Sequence, residues 1–79
     1  DEYLVNGIAT ITEVNEVLRY PLPDGDDFET IGGLVNFIFG KIPELNEEME
    51  SGGYHFTIVK TSNKIVEQVK IKETLKDDD

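Results

Sequence analysis

The sequence predicts a small α+β domain: a three-stranded antiparallel meander and a short N-terminal strand, with two helices covering one face of the sheet. Two observations lead there. Between residues 10 and 42 apolar side chains recur at helical spacing, and from residue 47 onward the period drops to two with turn residues at two places. A chain of 79 residues makes one domain, and helices layered on a sheet let so short a chain bury a single core.

The elements follow in order. Tyr3-Leu4-Val5-Asn6 is a short apolar strand ended by a turn at Gly7. The next stretch, Thr10 to Leu18, carries Ile11, Val14 and Leu18 at helical spacing with Val17 beside them. Thr10 and Glu13 match a capping box, with Thr12 as the competing N-cap. Residues 19–29 hold two prolines, one glycine and four acids, which marks a loop. The second helix starts after the N-cap Thr30, with Glu29 adding negative charge near the positive helix end. Its apolar stripe runs through Ile31, Leu34, Val35, Ile38, Phe39 and Ile42, with Phe37 off the stripe toward a second surface. Gly40 is the expected C-terminal cap, and Pro43 cannot extend the helix.

The meander begins near Glu47. Turns at Gly52-Gly53 and Asn63-Lys64 set Met49 opposite Phe56, Glu50 opposite His55, Ile58 opposite Val69, Phe56 opposite Ile71, and Lys60 opposite Glu67. A register slipped by two residues would place Glu67 against Ile58 and waste an apolar position. Asn63 tolerates the positive φ such a turn needs. The expected core is Leu4, Val14, Leu18, Ile31, Leu34, Val35, Ile38, Met49, Phe56, Ile58, Val69 and Ile71. The domain is expected over residues 1–75, with 76–79 as a disordered acidic tail.

Seven basic against seventeen acidic residues give a formal charge of −10, which repels nucleic acid and anionic lipid. The chain has no cysteine, so it has neither disulfides nor thiolate metal sites. No apolar run is long enough to span a bilayer, so direct membrane insertion is not expected. With a single histidine and no cysteine, no nucleophile–base constellation can be assembled, and the chain does not read as an enzyme with catalytic residues. His55 reads as a strand residue in an ion pair with Glu50. Hard cations favour oxygen-rich loops, and two stretches supply carboxylates: Asp24, Asp26 and Asp27, and Glu44, Glu47, Glu48 and Glu50. The spacing of the first fits only the start of a calcium loop. The glycine pair Gly32-Gly33 at a helix start allows either phosphate binding or close packing. The preceding Asp26, Asp27 and Glu29 and the missing phosphate-loop motif favour packing.

These stretches together resemble the CorC/HlyC transporter-associated domain. The resemblance covers residues 3 to about 72 and is carried by three segments: EYLVNGIATITEVNEVL, LPDGDDFETIGGLVNFIFGKIP and ESGGYHFTIVKTSNKIVEQVKI. Its most specific part is the aromatic-x-Thr-aliphatic-Gly-Gly-Leu-Val start from Phe28 to Val35, followed by Gly-basic-Ile-Pro from Gly40 to Pro43. Tyr3 stands where members often carry Trp. The resemblance implies a fold grouped with FAD-binding domains. It also implies a place at the cytoplasmic face of the bacterial inner membrane, after a transmembrane region and paired cystathionine-β-synthase-type (CBS) repeats, in hemolysin-like proteins or some cation/proton antiporters. The expected function is a non-catalytic regulatory or interaction module of a protein of magnesium and cobalt efflux. The alternatives are a sensor of FAD or an adenine nucleotide near Gly32-Gly33, and direct divalent-cation sensing by the acidic loops. No residue-level cofactor contacts carry over. The expected partners are the other domains of the same membrane protein. Homodimerisation is the further expectation, with Phe37 and Tyr54 at the surface and sheet edges available.

Overall fold

A computed structural model describes residues 2–22 and 28–74. Asp24, Asp26 and Asp27 and the 76–79 tail lie outside the described residues. Six elements follow one another: β1 (Glu2–Asn6), α1 (Ile11–Asn15), α2 (Ile31–Phe39), β2 (Glu48–Ser51), β3 (Tyr54–Ser62) and β4 (Ile65–Glu73). The strands form one antiparallel sheet in the order β1-β4-β3-β2, so the N-terminal strand adds to the far edge of the meander. Among the described residues no helix is long and apolar enough to cross a membrane.

Both helix starts are the ones the caps specify. Thr10 Oγ1 accepts from the Glu13 N–H, and Glu13 Oε1 accepts from the Thr10 N–H, each at 3.0 Å, which completes the capping box and leaves Thr12 inside the helix. Thr30 Oγ1 accepts from the Gly33 N–H, and Gly40 closes α2 with φ 74°. Helix α1 is shorter than the apolar spacing suggests. The Asn15 side chain turns aside to grip Leu22, accepting from its N–H at 2.7 Å and donating to its carbonyl at 3.2 Å. The chain then runs on through turns to Leu18, which stays buried. Ile42 falls beyond the end of α2 and is exposed.

The β2–β3 register pairs Met49 with Phe56 and Glu50 with His55, and β3–β4 pairs Phe56 with Ile71 and Ile58 with Val69, as the apolar pattern requires. One pair differs. The ladder is irregular between Ile58 and Thr61, so Lys60 lies opposite Gln68 instead of Glu67, and Val59 and Glu67 are left out of the pairing. The Lys60 ammonium still reaches the Glu67 carboxylate, at 3.6 Å.

The core joins Ile11, Val14, Leu18 and Leu22 to the α2 stripe and to the inward side chains of β3 and β4. Three expectations fail. Leu4 is 64% exposed: β1 pairs Tyr3 with Ile71 and Val5 with Val69, so Leu4 points to the open face beside Lys70. Met49 is only half-buried, because it lies on the outer strand while α2 packs on β4 and β1. Tyr54, expected at the surface, is 1% exposed. Its hydroxyl donates to the Tyr20 carbonyl at 2.7 Å and accepts from the Tyr20 N–H at 2.9 Å, so one buried ring holds the loop after α1 against the sheet. Phe37 is exposed as expected and contacts Phe28, with ring centroids 5.2 Å apart. Ile38 is half-buried against the core.

Tyr54→Phe keeps the ring and removes both hydrogen bonds to Tyr20. A loss of about 1–3 kcal/mol is expected from the two backbone groups left without partners, read as a lower urea midpoint with an unchanged slope.

Candidate functional site

The glycine pair was the strongest ligand candidate in the sequence, and the structure shows what its N–H groups do. The first four N–H groups of a helix have no partner within the helix and are the ones an anion would use. In α2 the three that follow the N-cap Thr30 are engaged outside the helical ladder, and Leu34 makes its first bond. Ile31 N–H donates to the Ala9 carbonyl at 2.9 Å and Gly32 N–H to the Gly7 carbonyl at 2.8 Å. Gly33 N–H donates to Thr30 Oγ1 at 3.2 Å, and Leu34 N–H to the Thr30 carbonyl at 2.9 Å. The N–H groups of Ile31, Gly32 and Gly33 are thus spent on the protein itself, and the glycines serve packing.

The fit is tight. A Cβ on Gly32 would stand 3.2 Å from the Gly7 carbonyl oxygen, and one on Gly33 would stand 3.1 Å from the Phe28 Cβ. Gly7, read from the sequence only as a turn, is the most constrained: a Cβ there would lie 2.0 Å from the Val66 carbonyl oxygen. Its N–H donates to the Glu67 carbonyl at 2.8 Å, at the residue the irregular β4 leaves unpaired. The signal in the sequence was the glycine ending β1, but its partner is sixty positions away and invisible to local patterning. A second tie runs alongside. Thr10 and Thr30, the two N-caps, form an isolated antiparallel bridge, and the Ile11 N–H donates to the Glu29 carbonyl at 2.9 Å.

The other candidates are engaged with one another. His55 stands between two carboxylates of β2, with Nε2 2.7 Å from Glu48 Oε1 and Nδ1 3.5 Å from Glu50 Oε2. Glu47 accepts from the Lys41 ammonium at 3.0 Å and from the Glu44 N–H at 3.2 Å. Those two bonds, the ammonium first, hold its carboxyl below the usual carboxylate range. The four glutamates are therefore not gathered around a common point, and among the described residues no three His, Cys, Asp or Glu side chains form a group able to hold a metal ion.

Two shallow clefts meet at the end of the sheet. One, of about 250 Å³, lies over the glycine junction and is lined by Gly7, Ile8, Thr30, Gly32, Gly33, Asn36, Lys64, Ile65 and Val66. The other, of about 390 Å³, is lined by Ile42, Pro43, Glu44, Leu45, Thr61 and Lys64. Lys64 belongs to both. Around it stand the aliphatic Ile8, Ile42, Leu45 and Ile65 together with the polar Thr30, Asn36, Glu44 and Thr61, and nothing in the sequence marked Lys64 beyond its place in a turn.

Two outcomes test this account. Gly7→Ala meets backbone and cannot be relieved by a rotamer change, so a loss of about 3 kcal/mol or more is expected. Gly32→Ala and Gly33→Ala should each cost less, since a Cβ at either stays more than 3.0 Å from its nearest neighbour; urea denaturation sets Gly7 apart from the other two. For Glu47, a carboxyl lowered by folding contributes stability that is present above its unfolded pKa of about 4.3 and is lost as pH falls through the lower folded value. The stability difference between the native chain and Glu47→Gln should therefore shrink as pH drops below that range, as measured by urea midpoints from neutral pH to pH 3.

Comparison with known proteins places this geometry. The profile of the transporter associated domain, CorC/HlyC, matches residues 1–74. Hemolysin C of Brachyspira hyodysenteriae is 39% identical over 77 residues, covering 95% of this chain and 28% of that protein. The magnesium and cobalt efflux protein CorC of Escherichia coli K12 is 31% identical over 70 residues, 89% of this chain and 24% of CorC. A polyamine export protein of Haemophilus influenzae is 29% identical over 72 residues, 90% of this chain and 17% of the exporter. Among solved structures, the transporter associated domain from Nitrosomonas europaea superposes with a TM-score of 0.82 at 27% identity, over 92% of this chain and 87% of that one. The chain thus spans less than a third of the curated relatives it matches. With the glycine helix start, the four-stranded sheet and these matches together, the chain belongs to the CorC/HlyC transporter associated domain family.

Proposed function

We propose that this domain is a non-catalytic regulatory or interaction module of a bacterial membrane protein that exports cations, with magnesium and cobalt as the leading cargo. In this reading it stands on the cytoplasmic face and acts on the other domains of the same protein, including CBS repeats and a transmembrane region. One observation carries the reading. The same domain accompanies relatives named for chemically unlike cargo, small hard metal ions in one case and long organic polycations in the other. A part common to both fits a role in controlling the transporter better than one in selecting the ion. The internal engagement of His55, Glu47 and the N–H groups that open α2 supports it, because these groups, among the described residues, hold the fold. That same engagement weighs against a nucleotide or flavin phosphate at Gly32-Gly33.

Deletion of the domain from its full-length membrane protein should change divalent-cation efflux or cation tolerance while the protein still reaches the membrane. Unchanged transport and assembly would overturn the reading. A thermal-shift panel on the domain separates module from sensor, since FAD, ATP, AMP, Mg²⁺ or Co²⁺ at 100 times its dissociation constant would add about 2.7 kcal/mol. No shift is expected with any of them.

A further inference from the structure

Seven large apolar side chains of the described residues are exposed, and four of them, Ile8 (83%), Ile42, Leu45 and Ile65, border the two clefts that meet at Lys64. Leu4, Val17 and Phe37 line neither. Scattered exposed aliphatics are ordinary, but a contiguous set marks an interaction surface.

Lys64 gives that surface its chemistry. It is the second residue of a turn whose central pair has φ 50° and 65°, a place where glycine is the usual occupant. A side chain there costs about 1 kcal/mol or more. Lys41 and Lys60 each reach a glutamate, whereas Lys64 has no carboxylate within ion-pair distance among the described residues. Lys70 and Lys72 are also without such a pair, but they stand on the open sheet face beside Leu4, Glu2, Thr57 and His55. Among the lysines of the described residues, Lys64 is the one that lines the clefts, where Ile8, Ile42, Leu45 and Ile65 stand with Glu44. A carboxylate brought to this exposed ammonium gains the modest attraction of a surface ion pair, added to the aliphatic contacts around it.

We infer that the cleft pair around Lys64 is a docking surface for an apolar segment carrying an Asp or Glu, supplied by another part of the same membrane protein. The inference rests on the reading of this domain as an interaction module and names the surface it uses. Size and charge select that occupant. A stable complex between free partners engages about 20–30 residues a side, more than the residues that line these two clefts. A tethered segment, held at an effective concentration on the order of millimolar, can use a small surface. A second copy is disfavoured because each carries a formal charge of −10.

The test is photo-crosslinking in the full-length protein, with p-benzoylphenylalanine at position 65 and the adduct mapped by mass spectrometry. The expected result is an intramolecular adduct to a peptide with an acidic residue among aliphatic ones. Lys64→Glu should lower its yield about fivefold, the equivalent of about 1 kcal/mol of surface attraction lost to charge reversal. Lys64→Gly relieves the turn while removing the ammonium, so it should raise the melting temperature and still lose the adduct, which separates lost docking from lost folding. No adduct, an adduct to a second copy, an adduct to a peptide without an acid, or a yield indifferent to both variants would each overturn the inference. Because the readout is physical proximity, docking can fail here while domain deletion still alters transport, and the two readings are judged apart.

Discussion

The fold depends on one relay of hydrogen bonds through Gly7. Its N–H donates to the carbonyl of Glu67 in β4, and its carbonyl accepts the N–H of Gly32 at the start of α2. A single residue thereby fixes the distance between sheet and helix at the scale of two hydrogen bonds, which leaves no room for a Cβ. The irregularity in β4 belongs to the same device: it frees the Glu67 carbonyl from the ladder. The donors of Ile31 and Gly32 are satisfied by backbone carbonyls of the β1–α1 turn and that of Gly33 by the Thr30 hydroxyl. What looks in sequence like a binding motif is the joint on which the helix sits.

Local physics was readable from the sequence, and long-range geometry less so. The capping box at Thr10 and Glu13, the Thr30 and Gly40 caps and the two meander turns are set by residues within four positions of one another. Their chemistry fixes one outcome, and the structure has it. The apolar run at Tyr3 to Val5 could bury either face, and only its pairing with Ile71 and Val69 decides that Leu4 points outward. Tyr54 followed a glycine turn and looked exposed; its burial depends on Tyr20, thirty-four positions earlier. Gly7 was legible as a glycine but not as a contact, since Val66 and Glu67 come at the far end of the chain. Of the two acidic stretches, Asp24, Asp26 and Asp27 lie outside the described residues; in the other, composition counts carboxylates while geometry assigns Glu47 to Lys41 and Glu48 to His55.

An excess of acids does not make this surface uniform. The carboxylates of Glu47, Glu48 and Glu50 are drawn into short-range partnerships that tie down the outer strand and its approach. The sheet end around Lys64 instead sets a cation beside exposed aliphatic side chains and Glu44. The two ends of the sheet thus differ in chemistry although the chain as a whole is strongly acidic.

The pairing of the first strand with the last has a consequence for how the domain hangs in a longer chain. Glu2 is the ladder partner of Lys72, so polypeptide arriving at one and departing from the other is separated by about 5 Å, one interstrand step. The principal extent of the domain is 43 Å, yet its insertion adds almost none of that length to the path of the backbone. Wherever such a unit is joined at both ends, it is a pendant rather than a spacer and leaves the separation of what it joins unchanged.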